Sequence, residues 1–354
     1  MKLRTLYKRT KTGAVQVCSI SVKDAVYAVE FGQLDGKLQT KYTECFPKNV
    51  GKSNESTAEG QAFEEANSKW EKKVKSGYSE DIEAPVTVQL PQKVKVYLEN
   101  KDKIDYPAYS VLKLNGMNGT YWLLPSGKLK LTSRGGNDYP AIPHLEAQVR
   151  SDMALANTTS LNVELYTHGE HLQDISSAVK KTKESSKRLT LNTFELPLVP
   201  CQYKDKVETI RKLSSGIEIV EVKSEAEADA HYKSAMSRGY EGTVLYNKRA
   251  VYAFNERSSD VYKYKIPKEA EFKIVGFKID KNKHVVYTCM SEGGEFGVKR
   301  KGTNEERLTD ASVAASNIGR WLTAEYEMLS KSGIPLKPVG LDFRLCDETG
   351  EPLE

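Results

Sequence analysis

The chain has 354 residues, of which 39% are hydrophobic and 29% are charged. This composition is typical of a globular protein with room for two or three domains, and it excludes a mostly disordered chain. No apolar run approaches the roughly 18 residues of a membrane span, and the charged N-terminus lacks the apolar stretch of a signal peptide. We therefore expect an intracellular, cytoplasmic protein that does not contact a membrane. The five cysteines lie singly, with no Cys-x-x-Cys pair that would indicate zinc or redox chemistry.

Positive charge is concentrated at the start of the chain. The net charge is +5; residues 1–78 hold 14 Lys and Arg against 9 Asp and Glu, whereas residues 79–354 balance at 39 against 39. An excess of positive charge permits a polyanionic partner without requiring one.

Alternating β-branched residues predict a small antiparallel sheet at the start, with strands at 14–22 and 25–31 and a further run at 39–42. Ser56 and Glu59 have the spacing of a capping box, which predicts the start of a helix. Apolar residues then recur at helical spacing, and a glycine supplies the stop: Phe63, Ala66, Trp70, Val74 and Gly77. We expect this helix to pack on the sheet.

The order of these elements resembles the WGR-type domains found on enzymes that bind DNA ends and nicks. Phe31-Gly32-Gln33 stands where the signature of those domains has Trp-Gly-Arg. The resemblance implies that the module binds DNA through its basic residues. A structural appendage with a solvated basic face is the alternative.

Residues 79–91 are acidic and then β-branched, with two prolines, which predicts a linker and a domain boundary near 80–90. Beyond Lys268, five short alternating runs and one helical stretch at 305–318 predict a small barrel of the OB type. The runs are 272–277, 284–290, 296–299, 321–326 and 341–345.

A candidate nucleophile lies at the end of a short β-type run. Lys113 follows the run 108–112, and Gly116 and Gly119 follow it closely. Glycines have no Cβ and let the backbone turn close to a bound nucleotide, where a strand-borne lysine could attack a phosphate. Taken alone, the pattern is also that of an ordinary surface turn.

Further motifs follow Lys113 in order, and together they match those of the covalent nucleotidyltransferases. With Lys113-Leu114-Asn115-Gly116, these are Thr132-Ser133-Arg134-Gly135-Gly136, Leu161-Asn162-Val163-Glu164-Leu165, Thr193-Phe194-Glu195-Leu196, Tyr240-Glu241-Gly242-Thr243-Val244, Val261-Tyr262-Lys263-Tyr264-Lys265 and Leu341-Asp342-Phe343-Arg344. On these residues, the segment 85–345 resembles the ATP-dependent polynucleotide ligases, the small phage and viral DNA ligases in particular.

The resemblance implies a role for each motif. Lys113 takes AMP from ATP, and Arg134 lies near the phosphate of the nick. Glu164 holds the ribose and a metal, Phe194 stacks on adenine, and Arg344 meets the pyrophosphate leaving group. Glu241 and Glu164 offer the hard oxygens that Mg²⁺ prefers. Lys263 and Lys265 bind phosphate oxygens, and we expect their charge to depress the pKa of the attacking lysine.

Two residues depart from the DNA ligase pattern. Asn115 stands where these ligases usually have Asp, and Asn118 stands where they usually have Arg. Lys-x-x-Gly-x-Asn resembles one branch of RNA ligases, so an RNA ligase remains an alternative. An mRNA-capping guanylyltransferase and an inactive nucleotidyltransferase fold that only binds DNA are the other two. The resemblance favours ATP over NAD, because the zinc element and other accessory domains of NAD-type ligases have no counterpart.

We therefore expect an α+β protein of three domains. They are a WGR-like module at 1–80, an adenylating domain of antiparallel sheets with flanking helices at 85–267, and an OB barrel at 268–354. The expected cofactors are ATP and Mg²⁺, and Asn118 is a candidate nucleotide contact. The expected partner is nicked duplex DNA, and we expect a monomer.

Overall fold

The computed structural model describes residues 1–10, 12–82, 89–280 and 282–353. The first elements form the predicted antiparallel sheet, in which four strands follow one another in the order β1-β2-β3-β4. The strands are β1 (Leu6–Arg9), β2 (Val15–Lys23), β3 (Val26–Gln33) and β4 (Gln39–Glu44). Strand β2 buries Cys18 and Ile20, two residues apart, because alternate side chains of a strand point to the same face.

Helix α1 (Ala58–Lys75) packs on this sheet, as predicted, but its start and its buried face differ from the prediction. The N-cap is Thr57, whose hydroxyl accepts a hydrogen bond from the Gly60 amide at 3.1 Å. The capping box predicted at Ser56 is therefore wrong by one residue, and Phe63 is exposed. Ala62 faces the sheet in place of Phe63, one helical turn from Ala66, which is buried as predicted.

The predicted end of α1 is confirmed, and the chain then returns to the N-terminal sheet, β1-β2-β3-β4. Gly77 has φ +91°, a conformation that favours glycine after a helix. Ser79 exchanges backbone hydrogen bonds with Tyr7 at 2.7 and 2.8 Å. Part of the predicted linker, 83–88 with Pro85, lies outside the described residues, so the division into domains stays a prediction.

Two sheets enclose the largest apolar core. The first has the strand order β11-β6-β12-β13-β5 and the second has the order β10-β9-β7-β8. The strands are β5 (Lys93–Val96), β6 (Ala108–Lys113), β7 (Met117–Leu123), β8 (Leu129–Ser133), β9 (Ser160–Tyr166), β10 (Thr190–Glu195), β11 (Ile219–Val222), β12 (Gly242–Tyr246) and β13 (Arg257–Tyr264). The pairs are antiparallel as predicted, except that the edge strand β5 runs parallel to β13.

Four helices flank these sheets: α2 (Pro143–Leu155), α3 (Leu172–Lys180), α4 (Tyr203–Lys212) and α5 (Glu225–Ser237). Short 3-10 turns lie at Lys101–Lys103 and Glu184–Arg188. The side chains that fill the space between the sheets come from both of them, for example Val111 and Val163. Burial of apolar surface therefore holds the two sheets face to face.

The last part of the chain forms the predicted five-stranded barrel, closed in the order β14-β15-β16-β20-β17. Its strands are β14 (Lys268–Ile279), β15 (Val285–Ser291), β16 (Gly294–Arg300), β17 (Trp321–Tyr326) and β20 (Val339–Arg344). The single helical stretch predicted at 305–318 is divided into α6 (Asn304–Ser312) and a 3-10 turn at Ala314–Asn317. A Thr303–Glu306 capping box starts α6.

A hairpin that the sequence did not predict connects the fourth and fifth barrel strands. It consists of β18 (Met328–Leu329) and β19 (Pro335–Leu336). We call residues 327–337 the barrel hairpin. None of the helices in the described part of the chain combines the length and apolar composition that a bilayer span requires.

Candidate active site

The charged residues of the predicted site lie on or next to three neighbouring strands, β6, β12 and β13, of the five-stranded sheet. Lys113 is the last residue of β6 and lies opposite Gly242, the first residue of β12. Glu241 immediately precedes that glycine, and its amide donates to the Lys113 carbonyl at 3.0 Å. Lys265 follows the end of β13, whose Tyr264 pairs with Thr243. The register of the sheet thus brings Lys113 and Lys265 to Glu241 at the ends of these strands, although they are 128 and 24 positions from it in the sequence.

Lys113 and Lys265 both bind the Glu241 carboxylate. The Lys113 Nζ donates to Glu241 Oε2, and the Lys265 Nζ donates to Glu241 Oε1 at 2.6 Å. Burial by itself would raise the pKa of Glu241, but the two ammonium groups outweigh it and hold that pKa below its usual value. The Glu241 carboxylate therefore holds Lys113, the candidate nucleophile, next to Lys265, a candidate phosphate-binding residue.

Lys263 differs from the two other lysines because, within the described residues, its ammonium has no hydrogen bond or ion pair. It lies on β13 opposite Val244 and is half-buried. Burial lowers the pKa of Lys263, and the nearby positive charge of Lys113 lowers it further. A cation that is partly removed from water and has no partner favours an incoming anion.

The second sheet supplies a carboxylate and an amide from facing positions. Glu164 on β9 pairs with Asn118 on β7, and the Asn118 side chain favours the charged form of the Glu164 carboxyl and so lowers its pKa. Burial raises the pKa of Glu164 to about 7, and the negative charge of Glu241 contributes. The positive charges of Lys113 and Arg134 lower the pKa of Glu164, so both cations lie close enough to interact with its carboxyl group.

Gly116 is required where residues 114–116, which we call the nucleophile loop, approach strand β9 of the four-stranded sheet β10-β9-β7-β8. A Cβ atom at this position would lie 2.5 Å from the Leu165 carbonyl oxygen and 2.9 Å from Glu164 Cγ. No side chain tolerates contacts this short with backbone, so the Lys-x-Asn-Gly spacing reflects the close approach of the chain to β9.

The carboxylates have the chemistry of a partial Mg²⁺ site. Among the described residues, no group of three His, Cys, Asp or Glu side chains could hold a metal by itself. Glu164 and Glu241 act on each other electrostatically, and Asn118 Oδ1 is buried without a hydrogen-bond partner in the part of the chain that the structure describes. Two carboxylates fit Mg²⁺ when substrate phosphates complete its coordination, so these residues suit a metal that arrives with a nucleotide.

Arg134 is exposed at the tip of a tight turn that follows β8. The Ser133 amide donates to the Asn137 carbonyl at 2.7 Å, which closes the turn. On the outer side of the turn, Lys75 of α1 donates to Asn137 Oδ1 at 2.6 Å. The end of the N-terminal helix is therefore beside the arginine turn, a contact that no sequence motif indicated.

Phe194 lies on β10 where the pairing with β9 is irregular, between Thr193 and Glu195. Such irregularities change the direction in which a side chain points. Its ring packs partly against the core between the sheets. The next residue, Glu195, forms a fully buried ion pair with Lys206 at 2.8 Å.

Arg344 is not brought to the lysine cluster in this structure. It is the last residue of β20, it pairs with Trp321, and its side chain is half-exposed. Its nearest carboxylate is Glu271, also in the barrel, at 3.7 Å.

The barrel hairpin approaches the cluster in place of Arg344. Glu327 Oε2 lies 3.8 Å from Lys265 Nζ, and Asn115 Nδ2 lies 3.3 Å from Met328 Sδ. Lys331 of the hairpin also forms an ion pair with Asp174 of α3 at 2.5 Å. No local sequence motif marks these hairpin residues, and only the folded chain brings them to the site.

No family model matches the chain. The DNA ligase of African swine fever virus (isolate Warthog/Namibia/Wart80/1980) is 25% identical over 373 residues, which cover 93% of this chain and 86% of that protein. The DNA ligase of the isolate Tick/Malawi/Lil 20-1/1983 is 25% identical over 375 residues, with the same coverage. Because 7% of 354 residues is about 25, the similarity extends into the first 80 residues.

Solved structures support the fold. A structure from a study of Lig E DNA ligases matches with a TM-score of 0.59 and 18% identity, covering 73% of this chain and all of that one. A structure named Pmar-Lig_PreS3 matches with a TM-score of 0.60 and 14% identity, covering 81% of this chain and 73% of that one. The chain is thus similar to viral DNA ligases along nearly its whole length and shares the fold of a solved DNA ligase, which confirms the resemblance that its motifs indicated.

Proposed function

We propose that the chain is an ATP-dependent DNA ligase that seals nicks between a 5′-phosphate and a 3′-hydroxyl in duplex DNA. The observation that carries the proposal is the convergence of Lys113, Lys263 and Lys265 around Glu241 at one edge of the sheet. A strand-borne amine beside two further cations and a carboxylate suits attack on a nucleoside triphosphate.

In the first step, Lys113 Nζ loses a proton to water and, as a neutral amine, forms a bond to the α-phosphorus of ATP. The bond from that phosphorus to the β-phosphate oxygen breaks, and pyrophosphate leaves. Its contact with Glu241 holds Lys113 at the edge of the sheet before the substrate arrives. Lys263, which has no partner among the described residues, is the first cation available to the phosphate oxygens.

Mg²⁺, when bound, would offset negative charge on the phosphates. Glu164 and Glu241 are the residues that would hold it. Phe194 offers a flat apolar surface for adenine, an interaction worth about 1 to 3 kcal/mol if it equals base stacking at nucleic-acid sites.

In the second and third steps, AMP passes from Lys113 to the 5′-phosphate of the nick, and the 3′-hydroxyl then displaces AMP to join the strand. Arg134 is available to the nick phosphate, because it is exposed at a tight turn and within electrostatic reach of Glu164. Arg344 would contact pyrophosphate only after the barrel reorients, since its side chain lies on the barrel beside Glu271.

The N-terminal module, residues 1–80, is proposed to bind the DNA backbone next to the nick. Two observations support this: the whole net charge of +5 lies in residues 1–78, and Lys75 of the module contacts the turn that carries Arg134. A WGR-like origin of the module and the domain boundaries at 80–85 and 267–268 belong to the same proposal. The enzyme is further proposed to act as a monomer in the cytoplasm.

An RNA ligase is the second candidate, and Asn118 is the observation that favours it. Its Oδ1 atom is buried, has no hydrogen-bond partner among the residues that the structure describes, and could accept a hydrogen bond from a ribose hydroxyl. Nicked duplex DNA and nicked duplex RNA of the same sequence should be compared side by side, with labelled ATP and Mg²⁺. We expect faster sealing of the DNA nick, and equal or faster sealing of the all-RNA nick would favour the RNA ligase.

A further inference from the structure

The barrel hairpin places a carboxylate beside the lysines that are proposed to bind phosphate. Glu327 lies 3.8 Å from Lys265, and its negative charge also acts on Lys263. Lys337, at the other end of the hairpin, holds the same carboxylate at 2.8 Å. Lysines that would bind a triphosphate therefore already face an anion that belongs to the protein.

Two further contacts hold the hairpin on the sheets. Lys331 forms its 2.5 Å ion pair with Asp174 in the first turn of α3, and Met328 contacts Asn115 of the nucleophile loop. The hairpin tip is also seated firmly on the barrel. A Cβ atom at Gly293 would lie 1.8 Å from the Ser332 carbonyl oxygen, so the turn between β15 and β16 touches the hairpin backbone. The hairpin and the barrel therefore move together.

The barrel presents its hairpin end to the cluster, and Arg344 lies at the other end of β20. That strand runs from Val339, next to the hairpin, to Arg344, and six residues in a strand span about 17 Å to 20 Å. The arrangement that brings Glu327 to Lys265 thus keeps Arg344 away from the same site. Arrival of Arg344 requires the hairpin contacts to break.

We propose that Glu327 is a built-in competitor for the phosphate-binding lysines and that it sets the apparent affinity for ATP. This inference rests on the proposed function. A triphosphate exchanges with the Glu327 carboxylate at Lys263 and Lys265, and release of the hairpin frees the barrel to reorient. Because only molecules with the hairpin displaced accept the triphosphate, the apparent dissociation constant increases by the reciprocal of their fraction.

The test compares Glu327→Gln with the wild-type chain and with Glu348→Gln, which removes a carboxylate from an exposed turn near the C-terminus. We expect Glu327→Gln to lower the KM for ATP in self-adenylation by about two- to fivefold, the range of one partly exposed ion pair, with kcat unchanged. Lys331→Ala, which loosens the hairpin without changing the lysine cluster, should lower the KM in the same direction. Glu348→Gln should have no effect.

Two readouts separate the inference from the proposed function. Sealing of a pre-adenylated nick needs no triphosphate, so Glu327→Gln should leave its rate unchanged. Direct binding of tripolyphosphate, measured by calorimetry without Mg²⁺, should be tighter for Glu327→Gln than for wild type. Equal or weaker tripolyphosphate binding, or a KM that increases, would overturn the competitor role. A wild-type chain that takes up no AMP contradicts the proposed function, whereas the tripolyphosphate comparison still decides whether Glu327 competes.

Discussion

Asn118 and Glu164 face each other on neighbouring antiparallel strands, and the Asn118 side chain lowers the pKa of the Glu164 carboxyl. Within the described part of the chain, the amide oxygen of Asn118 is buried without a hydrogen-bond partner. The pair thus combines a carboxyl group that burial keeps partly protonated at neutral pH with an unused acceptor. Both features suit a site that is completed by a nucleotide and a cation.

Glu164 should make the fold less stable as the pH increases. Its pKa is raised to about 7 in the folded chain from an ordinary 4.5, so between these values the folded state binds more protons than the unfolded state. Stability should therefore decrease as the pH increases from 4.5 to 7. Glu164→Gln, which mimics the protonated form, should melt at a higher temperature than wild type at pH 8 and at the same temperature below pH 4.5. A wild-type advantage at pH 8 in the absence of Mg²⁺ would contradict a raised pKa of Glu164 in the folded chain.

The N-terminal module should contribute salt-sensitive affinity without taking part in self-adenylation. A chain that starts at Asp81 should form the Lys113 adenylate at close to the full-length rate, because none of the nucleotidyltransferase motifs lies in residues 1–78. Its binding to nicked DNA should weaken, and the slope of log affinity against log salt should flatten by about 0.9 for each phosphate that the module binds. Unchanged affinity and slope would make the module a structural appendage. Loss of self-adenylation would move the domain boundary.

Lysines at the end of α1 should contribute more to DNA binding than exposed lysines elsewhere in the module. Lys75 contacts the Arg134 turn, and Lys72 lies one helical turn before it on α1. Lys37, in contrast, precedes the edge strand β4, and Lys41 lies within it. The double variant Lys72→Ala/Lys75→Ala should reduce the salt slope by about 2 if both contact phosphates. Lys37→Ala/Lys41→Ala changes the net charge equally and should reduce it less. Equal effects of the two double variants would indicate a diffuse charge effect in place of a defined contact.

The buried pair of Glu195 and Lys206 should stabilise the strand that carries Phe194. Both side chains are almost completely buried, and Lys206 Nζ also donates to the Leu196 carbonyl at 3.2 Å. Lys206→Met leaves a buried carboxylate without its cation and should cost about 3 to 5 kcal/mol in the free energy of unfolding. The double variant Lys206→Met/Glu195→Leu should recover much of that stability. Denaturant unfolding of the three chains measures both values, and a single variant as stable as wild type would contradict the pairing.

The two sheets that carry the lysine cluster and Glu164 could be predicted largely because their sequence motifs are local. A lysine after a buried β-run, a glycine that must approach β9 and two lysines at strand spacing are visible in a few consecutive residues. The barrel was equally accessible, because each of its strands alternates apolar and polar residues. The cap of α1 was wrong by one residue because Ser56 and Thr57 are both good caps, and only the folded chain decides between them.

Contacts between segments that are distant in the sequence could not be predicted. Glu327, Lys331 and Lys75 are ordinary surface residues in the sequence, and the partners described above in other segments are 62 to 157 positions away along the chain. Phe63 was assigned to the core because helical spacing alone does not identify which of two adjacent apolar residues faces the sheet. Arg344 was assigned from motif order, which contains no information on how the barrel is turned.

Labelling by ATP tests the central claim most directly. The labelling compares wild type, Lys113→Ala and, as a control, Lys128→Ala, which removes an exposed lysine just before β8. Each chain should be incubated with Mg²⁺ and ATP labelled at the α-phosphate, and the labelled peptide should be identified. We expect one AMP on Lys113 in wild type and in Lys128→Ala, and none in Lys113→Ala. Lys113→Ala should still seal some pre-adenylated nicks, because that step uses the 3′-hydroxyl and not the lysine amine. Full AMP labelling of Lys113→Ala would contradict the assignment of the nucleophile and with it the proposed reaction.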